Sequence, residues 1–377
     1  MKKLVIVTTV PLSLATLVKG QPKYLTQFFD ISLITSKSEV NRDIQEYEEV
    51  EVIGIDMTRQ ITPLQDLKSL LKLYRYFRQN SVDIVYSFTP KAGLLSMIAS
   101  FFARVPKRAH NIVGMPLMEA SGNKKRLLRV IEKLTYSFAT NLFCNSYGLK
   151  DYIEKNLTKK EIRVIANGSI NGIDIDFFRD DFSDLDKENK RAELEIEEND
   201  FVLLFVGRVV KDKGVNELIE AFTILDKKFN NLKLLMVGDF EEELSPIDIK
   251  SIERMRNNPN IISVGFQKDI RSYLSVSSLF VLPSYREGLP NSLIEAGSFG
   301  LPLLATDING CNEVIIPNKT GILVEKKSVE SLVNGIQYLI ENGELYGTIK
   351  SNVRALTIER YGQEFFLNAL KDELEKL

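Results

Sequence analysis

The 377-residue chain has no Trp, one His and two Cys. Each shortage removes a class of chemistry. A single imidazole leaves little room for a Cys/His metal cluster or for a His-based nucleophile triad. Two cysteines, Cys144 and Cys311, make no disulfide framework, which suits a reducing compartment. Long apolar runs are scarce as well. The opening "MKKLVIVTTVPLSLATLVKG" has the lysines and apolar stretch of a signal peptide, but it lacks a small-residue cleavage site. Pro11 interrupts the run and Lys19 closes it, so a buried first strand over residues 4–10 is the better reading. No other run approaches the roughly 18 apolar residues of a membrane span. Two phosphate motifs are also missing: there is no Walker A loop, and no complete GxGxxG follows an opening strand.

What remains is globular. A hydrophobic content of 44% with 27% charged residues excludes a disordered chain, and the length allows two domains. The net charge of −2 conceals an asymmetry. Residues 1–173 hold 25 Lys and Arg against 15 Asp and Glu, whereas the remainder holds 24 against 36. A basic half of this kind suggests contact with an anionic surface. No nucleic-acid recognition motif accompanies the charge, so nucleic acid is not an expected partner.

Strand-like and helix-like runs alternate through the first half. The strand-like runs are "KLVIVTTV", "FDISLITS", "VEVIGIDM", "VDIVYSF", "KRAHNIVG", "TNLFCNS" and "IRVIAN". Near Asp174 the pattern lapses into "RDDFSDLDKENKRAELEIEEND", a charged stretch that reads as a linker. It then restarts with "FVLLFVGR", "LKLLMVGD", "IISVGF", "LFVLPS", "LPLLATD" and "GILVEK". Alternation of this type predicts an α/β protein with two doubly wound, parallel-sheet domains. The predicted boundaries are 1–175, a linker over 176–200, and 201–355. Residues 356–377 form an amphipathic helix whose placement the pattern does not fix.

Two motifs in the second domain carry chemistry. In "FVLLFVGRVVKDKG" a strand runs into Arg208 and Lys213, flanked by Gly207 and Gly214. Two cations in a strand-to-helix loop suit a diphosphate, because backbone N–H groups and the helix dipole favour anions there. In "SYREGLPNSLIEAGSFGLP" Glu287 and Glu295 stand with seven residues between them. Glu295 has a local explanation: Ser292 as N-cap and Glu295 at the third helical position would make a capping box. Glu287 has none, and it falls at the carboxyl end of a strand, where ligands of α/β sheets bind. A carboxylate can accept hydrogen bonds from the vicinal hydroxyls of a ribose, and a second can orient a sugar. Gly288, Leu289 and Asn291 would bring backbone N–H groups close to such a ligand (Pro290 has none).

"SYREGLPNSLIEAGSFGLPLLATDINGCNEVI" resembles the donor-binding signature of the family 4 retaining glycosyltransferases, which have the GT-B fold. "GRVVKDKG" and "NGSINGIDIDFF" resemble two further pieces of that family, and the likeness spans the chain. It implies two Rossmann-like domains facing across a cleft, the first binding acceptor and the second donor. It implies transfer of a hexose or N-acetylhexosamine from a nucleotide sugar, UDP-linked by preference, with retained configuration. No bound metal or other cofactor is implied. By the same resemblance Arg208 and Lys213 hold the diphosphate with Gly207 nearby, Glu287 binds the donor sugar, Glu295 binds the ribose, and Ser292 belongs to the donor site. Gly265 and Phe266 lie beside the base, and the helix 356–377 crosses back to the first domain.

The chain departs from the family in places. A paired-glycine loop after the first strand is common there, but "TTVPLSLATLVKGQPKYL" has only Gly20. The histidine often found just before a glycine is Val113 here, next to Gly114, and His110 lies three positions earlier. His110 is therefore either acceptor-side or structural. Asp174 and Asp176 mimic an Asp-x-Asp metal motif, yet their place at a domain junction favours a linker or capping role.

"SFTPKAGLLSMIASFF" resembles a subgroup that builds bacterial capsule, O-antigen and protein-linked glycans on undecaprenyl diphosphate. That implies a lipid-linked or other glycan acceptor, with Thr89 and Lys91 at a strand-to-helix junction suited to its diphosphate. Lys124, Lys125, Arg126, Arg129 and Lys133 begin a helix with apolar neighbours, a pattern that can lie on an anionic membrane. The expected location is the cytoplasm, peripheral on the inner face of the cytoplasmic membrane. A nucleotide-sugar 2-epimerase of the same fold and a non-catalytic sugar-nucleotide-binding subunit are the competing readings.

Overall fold

The computed structural model describes every residue except 59, 61, 119 and 242–244. The chain divides into two compact units, Met1–Gly172 with Gln363–Leu377, and Ile173–Gly362.

The first unit is built on seven parallel strands: β1 (Lys3–Val7), β2 (Asp30–Thr35), β3 (Glu51–Gly54), β4 (Ile84–Phe88), β5 (Lys107–Ile112), β6 (Asn141–Cys144) and β7 (Ile162–Val164). Their order in the sheet is β3-β2-β1-β4-β5-β6-β7. The second unit has β8 (Phe201–Val206), β9 (Leu232–Val237), β10 (Ile261–Ser263), β11 (Leu279–Leu282), β12 (Leu303–Thr306) and β13 (Gly321–Val324). These run in the order β10-β9-β8-β11-β12-β13. Central strands such as "LVIV" and "VLLF" are buried on both faces, which is why they read as continuous apolar runs. In each sheet the order reverses once, between β1 and β4 and between β8 and β11. A crevice opens at the carboxyl ends of the strands at such a switch point.

The domain limits differ from those drawn on the sequence. Residues 176–200 are no bare linker. They belong to the second unit and contain the helix Asp184–Glu193, started by a capping box between Ser183 and Asp186. Leu194 and Ile196 then enter that unit's core. The charge density hid an amphipathic helix that buries none of its own residues. At the other end, the break falls at Gly362 rather than at residue 355. The helix Gly343–Tyr361 stays with the second unit, and Tyr361 caps its core. The helix Gln363–Glu375 joins the first unit, where Phe366, Leu367, Leu370 and Leu374 pack with Leu4, Ile6 and Tyr86. The opening run also folds differently past Val7: Pro11–Leu17 is a helix with proline at its start.

Candidate functional site

The loops after β8 and β11 leave neighbouring strands at the switch point of the second sheet, and they are laced together. Lys213 Nζ lies 2.5 Å from Glu287 Oε1, and Ser284 Oγ donates to the same oxygen at 2.6 Å. The two side chains retain only 22% and 12% exposure, so the pair is held largely out of water. Arg286 reaches Asp212 at 3.2 Å, and the Tyr285 N–H donates to the Asp212 carbonyl at 2.9 Å. The Tyr285 hydroxyl donates to Glu217 Oε1 at 2.6 Å, and burial raises its ionisation above the ordinary tyrosine range. Asn309 Nδ2 donates to the carbonyls of Glu287 and Gly288.

Glycine is required at two of the close approaches. Gly214 has φ +70°, and a Cβ there would stand 2.0 Å from the Pro283 carbonyl oxygen. Gly238, after β9, has φ +144°, and its Cβ would stand 1.9 Å from the Gly207 carbonyl oxygen. The Gly207 N–H donates to Val237, and the Gly238 N–H donates to Gly265. The phosphate-type loop is therefore keyed into the next strand end by close main-chain contacts. Gly238→Ala is expected to cost more than about 2 kcal/mol, through left-side backbone strain and the backbone clash. A thermal melt would show this as a drop of roughly 4–8 °C. An unchanged melting temperature would mean the two loops are not keyed in this way.

Arg208 is more open than Lys213. Its side chain is 58% exposed and pairs with Glu241, an exposed contact of small energetic weight. It can leave that partner for a stronger anion. Gly265, at φ +67°, precedes an exposed Phe266 whose N–H donates to Asp239 Oδ1 at 2.9 Å.

Glu295 is not a cap. The helix Asn291–Phe299 begins after Pro290, with no side-chain cap, so Ser292 sits inside the first turn and the expected capping box does not form. The Glu295 side chain has no hydrogen bond or ion pair among the described residues. Burial pushes its carboxyl up to about 7. Some of the residue's surface still faces solvent, while the carboxyl itself is poorly hydrated. Gly288 and the buried Leu289 lie on the loop between the two glutamates, and Asn291 is the exposed first residue of the helix.

In the first unit, Thr89 stands at the switch point. It holds φ +67° before the helix Pro90–Phe102, and its hydroxyl lies 2.7 Å from that of Thr9. Thr89, His110 and Gly114 line one narrow recess with Asn111 and Glu132. His110 is buried in the sheet, with Ser87 Oγ at 2.9 Å from Nδ1, and burial lowers its pKa to about 4. It is thus neutral near pH 7, and its ring fills the space that a Cβ on Gly93 would need. Lys91 is engaged elsewhere. Its ammonium contacts both Asp66 oxygens, at 2.7 and 2.9 Å, and also the Gln60 carbonyl. That closed pair ties two segments of the unit and leaves the cation little capacity for a ligand. Asp174 caps a turn by accepting from the N–H groups of Asp176 and Phe177. Among the described residues, no three His, Cys, Asp or Glu side chains gather as a metal site.

Ser284, Gly238, Tyr285 and Glu217 were not singled out in the sequence. Gly238 had a usable signal: "LLFVG" and "LLMVG" end adjacent strands with the same Val-Gly pair. The Tyr285–Glu217 contact spans 68 positions and leaves no local pattern.

Known proteins resemble the chain along its length. A family model described as "Glycosyl transferases group 1" matches residues 186–356, and one described as "Glycosyl transferase 4-like" matches residues 15–146. The capsular polysaccharide biosynthesis glycosyltransferase CapM of Staphylococcus aureus is 33% identical, over 96% of this chain and 93% of that protein. The UDP-Gal:alpha-D-GlcNAc-diphosphoundecaprenol alpha-1,3-galactosyltransferase of Escherichia coli is 29% identical, over 82% and 79% respectively. Among solved structures, Anabaena HepE in complex with UDP and glucose superposes with a TM-score of 0.82 at 22% identity, with both chains fully covered. That last likeness is one of fold, the two-domain GT-B α/β architecture.

Proposed function

The chain belongs to the group 1 glycosyl transferases, and on that premise we propose that it moves a hexose or N-acetylhexosamine from a UDP-sugar to a glycan carried on polyprenyl diphosphate. The transfer retains the anomeric configuration and serves the assembly of a surface polysaccharide. The Lys213–Glu287 pair at the strand crossing carries this reading. It sets a cation for the leaving diphosphate against a carboxylate for the sugar hydroxyls, in a place where water screens both poorly. Support for the substrate classes comes from the relatives: one acts on a diphosphoundecaprenol-linked sugar, and one neighbour holds UDP and glucose.

The bond that breaks joins the anomeric carbon to the diphosphate, and negative charge grows on the departing oxygen. Lys213 and Arg208 stabilise that charge, an electrostatic contribution made mainly in the transition state. Glu287 accepts hydrogen bonds from the donor sugar and fixes its orientation. Glu295 accepts from the ribose hydroxyls. The acceptor hydroxyl attacks from the side of the leaving diphosphate, whose oxygen takes the proton. Thr89 and Gly114 border the acceptor. The enzyme works at the inner face of the cytoplasmic membrane as a peripheral protein.

A thermal-shift screen with UDP, GDP and ADP tests the donor site. A nucleotide at a hundredfold excess over its Kd is expected to stabilise the fold by about 2.7 kcal/mol. UDP should do so and the others should not, and Lys213→Ala should abolish the shift. Radiolabelled UDP-sugars with a polyprenyl-diphosphate-linked acceptor then test transfer. Sugar conversion without acceptor would make the protein an isomerase. Donor binding with no turnover on any acceptor would make it a binding subunit.

A further inference from the structure

A third loop, over residues 307–310, follows β12 and lies against the loop that carries Glu287. The two are tied first at their strand ends, where Thr306 Oγ1 donates to the Ser284 carbonyl at 2.5 Å between buried residues. Asn309 makes the next contact. Its Nδ2 donates to the Glu287 carbonyl at 3.2 Å and to the Gly288 carbonyl at 3.4 Å. An amide nitrogen carries two hydrogens, so these carbonyls take up its capacity to donate and leave little for a ligand. Gly310 completes the contact. It has φ +82°, and a Cβ there would stand 2.1 Å from the Gly288 carbonyl oxygen, so glycine alone lets the two loops lie this close.

The loop of Asn309 is itself anchored. The Asp307 N–H donates to the Val324 carbonyl of β13 at 2.7 Å. On the far side the short helix Cys311–Val314 ends in carbonyls that are held by the next elements. Arg360 donates to Val314 and to Glu313, and the Tyr361 hydroxyl donates to Glu313 at 2.9 Å. Asn309 therefore pulls on residues 287 and 288 from a fixed base.

Peptide planarity converts that pull into a direction. In a trans peptide the N–H points opposite to the carbonyl of the residue before it. The Glu287 and Gly288 carbonyls are drawn toward Asn309, so the N–H groups of Gly288 and Leu289 point away from it. Neither N–H has an acceptor among the described residues. Two successive N–H groups facing the same way suit the oxygen atoms of a ligand. Without the hold, a peptide beside Gly288 could turn over, because glycine tolerates either orientation. A carbonyl would then meet the ligand oxygens and repel them.

We infer that Asn309 is a positioning residue of the donor site, holding the 287–289 main chain so that two N–H groups, and no carbonyl, meet oxygens at the sugar end of a nucleotide sugar. This rests on the transferase reading and deepens it. The diphosphate and the nucleoside stay with Arg208, Lys213 and Glu295. Asn309 thus governs what the sugar adds to binding, and UDP alone should be indifferent to it.

Asn309→Asp is the decisive variant. It keeps the size of the side chain, and it replaces the amide hydrogens with an oxygen that repels the two carbonyls. Asn309→Ala removes the hold without adding repulsion. Calorimetric titration compares UDP with the tightest-binding member of UDP-glucose, UDP-galactose and their N-acetyl forms. The Asp variant is expected to lose about tenfold in affinity for the UDP-sugar and less than about twofold for UDP. Its kcat/KM for transfer to a polyprenyl-diphosphate-linked acceptor should fall by about tenfold to a hundredfold, with a smaller loss for Ala. A residue that merely braces the fold would lower the melting temperature and weaken UDP and UDP-sugar alike, and that result overturns the assignment. So does an Asp variant that binds the UDP-sugar as wild type does. If wild type binds no UDP-sugar, the donor-site reading and the role of Asn309 fall together. If the two affinities separate as expected but no acceptor is ever glycosylated, Asn309 keeps its role and the transferase reading is what fails.

Discussion

Lys213→Ala is expected to lower kcat/KM for sugar transfer by about 10²–10³, the range found when one preorganised stabiliser of a developing anion is removed. The loss should fall mainly on kcat if the cation acts on the departing diphosphate, and on KM if it only holds the ground state. The same change removes the ion partner of Glu287, which lies 2.5 Å away. Leaving one member of a fully buried pair costs about 3–5 kcal/mol. Here the figure should be smaller, about 1–3 kcal/mol, because Ser284 Oγ still donates to the orphaned oxygen and both side chains keep some exposure.

The two effects can be separated with a second variant. Adding Glu287→Gln to Lys213→Ala removes the uncompensated charge, so the melting temperature should recover toward wild type. Turnover should not recover, because the cation is still missing and the sugar has lost its carboxylate. Arg208→Ala should reduce turnover without the stability loss, since its exposed pair with Glu241 contributes little to the fold. Turnover by Lys213→Ala within tenfold of wild type would show that the pair is a structural strut and not part of the donor site.

The pieces of this site that the sequence made legible are those with a local pattern. Seven strand-like runs in the first half became β1–β7, because buried parallel strands keep continuous β-branched and leucine-rich stretches. Arg208 and Lys213 were visible because a strand, a glycine and two cations follow one another in one loop. What stayed hidden is what distant segments do to each other. Lys91 looked free at a helix start until Asp66, 25 positions away, took its ammonium. The capping box at Ser292 and Glu295 had the right spacing, but the helix began two residues earlier, with Pro290 in place of Ser292 at the cap position, and that shift of register freed the carboxyl. The helix 184–193 was overlooked for the opposite reason. Its local capping signal was present, but a dense run of charges obscured it.

Glu295→Gln is expected to stabilise the protein at pH 8 while weakening its hold on the donor. Burial pushes the Glu295 carboxyl up to about 7, above the ordinary value of 4.5. The neutral form is therefore the one the fold prefers. Its contribution to stability is fully present below pH 4.5, where folded and unfolded chains are both protonated. It is lost as the pH rises to about 7, because the unfolded chain releases its proton first. Above that, the folded chain carries a poorly solvated charge. At 1.36 kcal/mol per unit the penalty is at most about 3 kcal/mol. The amide of Gln is neutral at every pH, so the variant should match wild type near pH 4.5 and melt roughly 5–10 °C higher at pH 8. The charge has a use only if a ligand satisfies it. Two hydrogen bonds from vicinal ribose hydroxyls would repay much of the desolvation, at about 1.5–3 kcal/mol for a bond to a charged group. Wild-type affinity for a UDP-sugar should then tighten as the pH rises through about 7, and the Gln variant should lose both the pH dependence and about tenfold or more in affinity. A UDP-sugar is the right probe, because the terminal phosphate of UDP itself titrates near pH 6. A stabilising substitution that costs binding is the expected signature of a residue kept for its ligand. If Glu295→Gln instead destabilises the fold at pH 8 and leaves affinity unchanged, the carboxylate serves the structure and the ribose has another partner.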